Sequence, residues 1–217
     1  MKIRRIGYYG GSFDPVHEGH LAIGEAVARQ FALDEFVYIP AFHAPHKVRS
    51  QPTSPYDRYA MLCLATRSEG KQRVSRMEIE MPGRPYTIET LTALMAARPD
   101  DQAFFVMGAD SWMDITSWRE WQSVLSITNH IVMTRPGVEV RSNHVTSQVR
   151  DRIVDLRGRS DPPQIETGRV GIYITDAVSR GVSGTEIRRK IREGDERWRT
   201  DLTPEVANYI EKYQIYK

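Results

Sequence analysis

Apolar residues in this chain fall into short continuous runs separated by longer stretches with helical spacing. Ile3 to Tyr9 predicts a first buried strand, and the Gly/Ser/Asp/Pro-rich stretch from Gly10 to Glu18 predicts a loop. Leu21, Ala22, Ala26, Ala28 and Phe31 predict a helix beginning near Gly19. Phe36 to Ile39 reads as a second strand stopped by Pro40, and residues 41–54 as a long loop. Ser54 followed by Pro55 reads as an N-cap with proline at the first helical position, ahead of Met61, Leu62, Leu64 and Ala65. Alternation at Val74, Ile79 and Met81 predicts a strand, and Pro82-Gly83 a turn. Ile88, Leu91, Leu94 and Met95 form a helical stripe. Ala103–Met107, His130–Met133 and Val170–Ile174 read as strands. Val145, Val149, Ile153 and Leu156 predict an amphipathic helix, broken at residues 160–163. Two terminal helices start at Ser183 and near Thr203-Pro204.

This β-α-β-α alternation predicts an α/β, doubly wound fold with a mainly parallel sheet in a single domain over residues 1–217. In such a sheet, ligands bind beyond the carboxyl ends of the strands, near the point where strand order reverses. The loops after the first strand, the second strand and the Ala103–Met107 strand are thus expected to share one crevice.

Composition narrows the function classes. With 217 residues, 40% hydrophobic and 27% charged, the chain reads as globular. A net charge of +2 without a long basic run gives little support to nucleic-acid binding and suits a small anionic substrate. The one cysteine, Cys63, sits in an apolar run and is expected to be buried. No stretch reaches the ~20 apolar residues of a membrane helix, and no leader-like apolar region follows the N-terminus. The expectation is a cytoplasmic protein with no nucleic-acid or membrane partner, homo-oligomerisation being left open.

The richest chemistry lies in Gly10-Gly11-Ser12-Phe13-Asp14-Pro15-Val16-His17-Glu18-Gly19-His20. Gly10 and Gly11 would let backbone approach a ligand. His17 and His20 flank a helix start, where unpaired N–H groups favour phosphate, and Gly19 removes bulk between them. Taken alone, two histidines three apart could equally be a metal site or incidental. The segment lacks the Gly-Lys-Ser/Thr of a Walker loop and the Gly-x-Gly-x-x-Gly of a dinucleotide site.

The whole segment resembles the His-x-Gly-His signature of the nucleotidyltransferase superfamily, and Phe-Asp-Pro-Val is similar to the bacterial nicotinate-mononucleotide adenylyltransferases. Further pieces resemble the same family. They are Ala44-Pro45-His46-Lys47, Arg84-Pro85-Tyr86-Thr87, Gly108-Ala109-Asp110-Ser111, Ser117-Trp118-Arg119-Glu120 and Val182-Ser183-Gly184-Thr185-Glu186-Ile187-Arg188. The chain departs at Gly184, where serine is usual, at Ser12, where threonine is common, and at Tyr8, large for that strand. Residues 138–169 match nothing diagnostic.

The resemblance implies a Rossmann-like nucleotidyltransferase fold that transfers the AMP moiety of ATP to nicotinate mononucleotide, a step in NAD biosynthesis. It implies ATP contacts from Gly10, Gly11, Ser12, Phe13, His17, His20, Gly108, Asp110, Ser183 and Arg188, and mononucleotide contacts from His46, Lys47, Tyr86, Thr87 and Trp118. His17, His20, Lys47 and Arg188 would carry catalysis, without a protein nucleophile. Mg²⁺ would be bound mainly through ATP, with no protein metal ligand. The alternatives are another acceptor, such as nicotinamide mononucleotide, or a nucleotide-sensing module without turnover.

Overall fold

The computed structural model describes residues 3–42, 53–81, 83–134, 139–159, 161–166, 168–178 and 181–217. Seven strands form one sheet in the order β3-β2-β1-β4-β5-β7-β6, with every pair parallel. They are β1 (Arg5–Gly11), β2 (Glu35–Pro40), β3 (Gln72–Val74), β4 (Gln102–Gly108), β5 (Asn129–Met133), β6 (Ile153–Asp155) and β7 (Ile172–Thr175). The helices are α1 (Glu18–Gln30), α2 (Pro55–Thr66), α3 (Met77–Glu80), α4 (Thr87–Ala97), α5 (Ala109–Met113), α6 (Trp121–Ile127), α7 (Ser147–Arg150), α8 (Gly184–Glu193) and α9 (Pro204–Lys212).

A period of two sorts each strand's side chains between two cores. Tyr9, Phe104, Val106, Ile131 and Tyr173 join residues of α1, α2, α8 and α9 on one face. Ile6, Tyr8, Phe105, Met107 and Val132 join residues of α4, α5 and α6 on the other. With both faces covered, the central strands are nearly all apolar, and this is why they read as continuous runs. Tyr8, unusual for its size, is 2% exposed in the second core.

Strand order reverses between β1 and β4, so the loops after these two strands diverge and open a crevice at their carboxyl ends. Register places Tyr9 beside Val106, Gly11 beside Pro40 and Gly108 beside Met133. The loops after β1 and β4 do meet at one crevice, whereas most of the expected third contributor, the loop after β2, lies outside the described residues.

Three elements differ from the sequence reading. The strand expected over 74–81 is β3 followed by the single-turn α3. The Ser75 hydroxyl accepts from the Met77 N–H at 3.1 Å, and such a local bond competes with strand extension. The helix expected from Val145 to Leu156 is one turn, α7, followed by edge strand β6. Val145 and Val149, an i, i+4 pair, are buried in the second core, whereas Leu156 is buried in the first. The open hydrogen-bonding edge of β7, however, takes up the β-branched Ile153-Val154. The 153–155 stretch therefore extends the sheet. Cys63 is half-buried on α2, not fully buried. No helix among the described residues is long and apolar enough to cross a membrane.

Candidate active site

β1 delivers the chain into the Gly10–Val16 turn. Phe13 takes a left-handed conformation (φ 48°), uncommon for a bulky residue. Its ring compensates by packing 2% exposed against Tyr9 (centroids 5.3 Å), Tyr38 (5.7 Å) and His20 (4.9 Å). Phe13 therefore supports His20 from behind, and a ligand could meet only its backbone. The space left by Gly10 and Gly11 is likewise filled from within. A Cβ would lie 3.2 Å from the Phe105 ring at Gly10 and 2.9 Å from the Phe13 ring at Gly11. Both glycines are therefore set against close aromatic rings of the fold, Gly11 more tightly than Gly10.

His17 is the N-cap of α1 and His20 the third residue of its first turn. Their rings stack at 3.7 Å between centroids and 21° between planes. The His17 backbone N–H donates to His20 Nδ1 at 3.3 Å. With Nδ1 accepting, a neutral His20 ring carries its hydrogen on Nε2, and that nitrogen is then its donor. Gly19 makes the stack feasible, since a Cβ there would stand 3.1 Å from His17 Nδ1.

A pocket at the strand ends is lined by Tyr9, His17, Gly19, His20, Gly108, Met133, Thr134, Val178 and Val182, among others. It thus joins the first turn of α1 to the ends of β4 and β5. A Cβ at Gly108 would meet nothing within 4 Å, so here the glycine does face open space. Asp110 is exposed in the first turn of α5, just beyond.

Arg188 reaches the same turn from α8. Its guanidinium donates to the Asp14 carbonyl and to Thr185 Oγ1 (3.3 Å), and lies 3.9 Å from the Asp14 carboxylate. The expected phosphate fork is therefore engaged with the motif turn itself. Ser183 occupies the N-cap position of α8, but its side chain makes no capping bond. A Cβ at Gly184 would come within 3.1 Å of the Asp14 carbonyl, so the glycine lets α8 press against the turn.

Tyr86 and Thr87 lie at the start of α4, with Tyr86 at the N-cap. The cap bond runs from the Tyr86 N–H to Glu89 Oε2 at 2.8 Å. Arg119, adjacent to Trp118, stands 4.8 Å over the Tyr86 ring and 4.0 Å from Glu89. The Tyr86-Thr87 and Trp118 segments thus meet at one corner. Trp118 is half-buried against the second core, whereas Trp112 and Trp198 are buried. His46 and Lys47 lie outside the described residues.

Three side chains missed from sequence, because nothing local marks them, are Arg58, Glu78 and Tyr216, which gather around Asp14 of the motif. Arg58 on α2 is 1% exposed, with its guanidinium under the motif turn. Asp14 Oδ1 accepts from the Tyr216 hydroxyl at 2.7 Å, and the Thr53 N–H points at Oδ2 at 3.5 Å. Burial, then the neighbouring Asp14 charge, push the Tyr216 hydroxyl well above its usual pKa. Burial also raises the Glu78 carboxyl, opposed by bonds from Thr90 Oγ1 (2.8 Å) and the Phe42 backbone.

Comparison with known proteins agrees with this geometry. The cytidylyltransferase-like family model matches residues 8–190. A nicotinate-nucleotide adenylyltransferase by name from Desulfitobacterium hafniense (strain Y51) is 36% identical, over 99% of this chain and 96% of its own length. One so named from Thermoanaerobacter sp. (strain X514) is also 36% identical, over 98% and 94%. The chain belongs to the cytidylyltransferase-like family and, within it, to the nicotinate-nucleotide adenylyltransferases. The fold agrees with that of a Plasmodium falciparum nicotinic acid mononucleotide adenylyltransferase solved with NaAD. The TM-score is 0.72 at 17% identity, covering 98% of this chain and 97% of the other. This nucleotidyltransferase family fold is the one expected from the motif after β1.

Proposed function

We propose that this chain, acting as one nucleotidyltransferase domain, joins ATP to nicotinate mononucleotide and releases pyrophosphate. The product is nicotinate adenine dinucleotide, the deamido form of NAD. The observation that carries this reading is the stacked His17–His20 pair at the first turn of α1, lining a pocket at the sheet's switch point. The names of the full-length relatives point to the same acceptor.

An oxygen of the mononucleotide phosphate attacks the α-phosphorus of ATP. The new P–O bond forms as the bond to the bridging oxygen of the β-phosphate breaks, and pyrophosphate leaves with that electron pair. No residue of the chain need form a covalent intermediate. What the protein supplies is alignment, worth up to roughly 7–11 kcal/mol in favourable systems, and stabilisation of the moving charge. The helix N-terminus and the His20 Nε2 donor would hold the ATP phosphates as charge shifts to the leaving group. Asp110, exposed beside Gly108, would accept from ribose hydroxyls. Arg188 and Ser183 would support the triphosphate, and His46 and Lys47 the incoming phosphate. Tyr86, Thr87 and Trp118 would form the pyridine side, where a helix N-terminus suits the nicotinate carboxylate.

The side chains assigned to the ATP phosphates at the first turn of α1 are imidazoles, whereas Mg²⁺ takes oxygen ligands. Mg²⁺ would therefore arrive with ATP, held by phosphate oxygens and water, and neutralise part of the phosphate charge.

The test is pyrophosphate release with ATP and Mg²⁺, comparing nicotinate mononucleotide, nicotinamide mononucleotide and phosphopantetheine. A preference of tenfold or more in kcat/KM for the nicotinate acceptor is expected. Preference for either competitor would overturn the acceptor assignment. Tight ATP binding with no transfer to any of the three would overturn the assignment as an enzyme.

A further inference from the structure

Arg58 is 1% exposed, yet it stands on a helix that contributes no residue to the pocket lining. A buried guanidinium is costly unless its donors are satisfied. Here Nε donates to the Thr53 carbonyl at 3.0 Å, Nη1 to the Ser12 carbonyl at 2.7 Å, and Nη2 to the Ala41 and Phe42 carbonyls at 2.7 and 3.2 Å. All four bonds end on backbone oxygens in loops, where no strand or helix ladder supplies a partner. Burial lowers the Arg58 pKa, and the charges of Asp14, Tyr216 and Glu78 oppose that shift.

The carbonyls come from two places that the chemistry must keep in register. Ser12 belongs to the turn that sets His17 and His20. Ala41, Phe42 and Thr53 are the described residues on either side of the sequence that carries His46 and Lys47. Two further bonds cross the same junction. The Ala41 N–H donates to the Gly11 carbonyl at 2.9 Å, and Glu78 ties the Phe42 backbone to Thr90 of α4, the helix that begins at Thr87.

We propose that Arg58 is a positioning residue for the transfer reaction. By gripping Ser12 on one side and Ala41, Phe42 and Thr53 on the other, it sets the distance between the ATP-side turn and the acceptor-side stretch. This rests on the adenylyl transfer proposed above. The planar fork of five donors makes the role specific to arginine, since a lysine ammonium keeps the charge but cannot span four carbonyls.

The test uses Arg58→Lys and Arg58→Met in the full chain. At saturating ATP, KM for nicotinate mononucleotide is expected to rise tenfold or more and kcat to fall. The Kd for ATP alone, by calorimetry without acceptor, should stay within threefold of the parent protein. Methylguanidinium should partly restore kcat in the methionine variant. In hydrogen exchange, the Ala41 amide should exchange at least tenfold faster, while β4 amides keep their rates. A folded Arg58→Lys protein with unchanged acceptor KM and unchanged Ala41 exchange would overturn the proposal. So would loss of ATP and acceptor affinity in equal proportion, tracking a lowered Tm, which marks a merely structural role. If Arg58→Met does not fold, the lysine variant carries the same comparison. If the parent protein prefers another acceptor, the acceptor assignment fails, and the same KM and exchange comparisons with that acceptor decide the role of Arg58. If it transfers to none, the Ala41 exchange alone decides.

Discussion

His130 makes the stability of the scaffold under the site sensitive to pH. It is wholly buried in β5, two strands from the motif, with its ring at 5.9 Å from that of Phe105. Neither ring nitrogen makes a well-formed hydrogen bond. Burial drives its pKa from 6.5 down to about 3, and the Thr128 backbone opposes this only in part. Well above pH 6.5 the ring is neutral in both folded and unfolded chains, and its titration adds no pH dependence. As pH falls below 6.5 the unfolded chain takes up a proton that the folded chain refuses, so stability is lost until pH reaches about 3. At about 1.4 kcal/mol per pH unit the full loss is about 5 kcal/mol, and by pH 5 it is about 2 kcal/mol. For a chain of this size, 2 kcal/mol lowers Tm by about 4–8 °C. The assay is thermal and urea unfolding of the parent protein and of His130→Leu at pH 8, 6.5 and 5. Other titrating groups act on both proteins, so the quantity of interest is the difference between them. His130→Leu should lose about 2 kcal/mol less than the parent between pH 8 and pH 5. Parallel pH curves would show that His130 does not resist protonation in the fold and would refute the reasoning.

Three substitutions probe the site itself. His20→Ala should lower kcat by about 10²–10³, the usual loss of one transition-state donor, while a cooperative melt stays near that of the parent. Near-normal turnover would remove His20 from the mechanism. Gly19→Ala places a Cβ 3.1 Å from His17 Nδ1, so the ring must shift by a few tenths of an ångström within the stack. About a tenfold drop in kcat/KM is expected, read by pyrophosphate release, and unchanged kinetics would show that this stacking geometry is dispensable. Tyr216→Phe removes the hydroxyl that donates to Asp14, a bond to a charged group worth about 1.5–3 kcal/mol. Calorimetry should show a lower Tm, and a Tm within 1 °C of the parent would mean that the contact contributes little.

Much of the sheet was legible because its strands are buried on both faces. Phe36–Ile39, Ala103–Met107 and His130–Met133 read as apolar runs and occupy β2, β4 and β5. The helix starts at Ser54-Pro55 and Thr203-Pro204 were legible because the capping chemistry is local. Ser54 and Thr203 accept from the N–H groups of Tyr56 and Val206. Edge elements were not. β3 and β6 are three residues each, and their strand character comes from an exposed neighbour's hydrogen-bonding edge rather than from their own pattern.

The site divides in the same way. Sequence alone determined the place of His17, Gly19 and His20 at a helix start, because three residues along a helix turn suffice to bring them together. It could not determine that the rings of Phe13 and Phe105 fill the space at Gly11 and Gly10, since these contacts depend on how β1 curls into its turn and which strand lies beside it. Nor could it find Arg58, Asp14, Glu78 and Tyr216 as one network, with Asp14 and Tyr216 separated by 202 positions. Arg58, Glu78 and Tyr216 are ordinary polar residues in their own stretches of chain, and Asp14, though inside the motif, carries no mark of these partners. Only when the sheet places the β1 turn, the end of β2, α2 and the C-terminal residues against one another do loop carbonyls and a buried guanidinium become each other's partners. A buried polar group must find its partner wherever the fold puts one, and no local pattern records that.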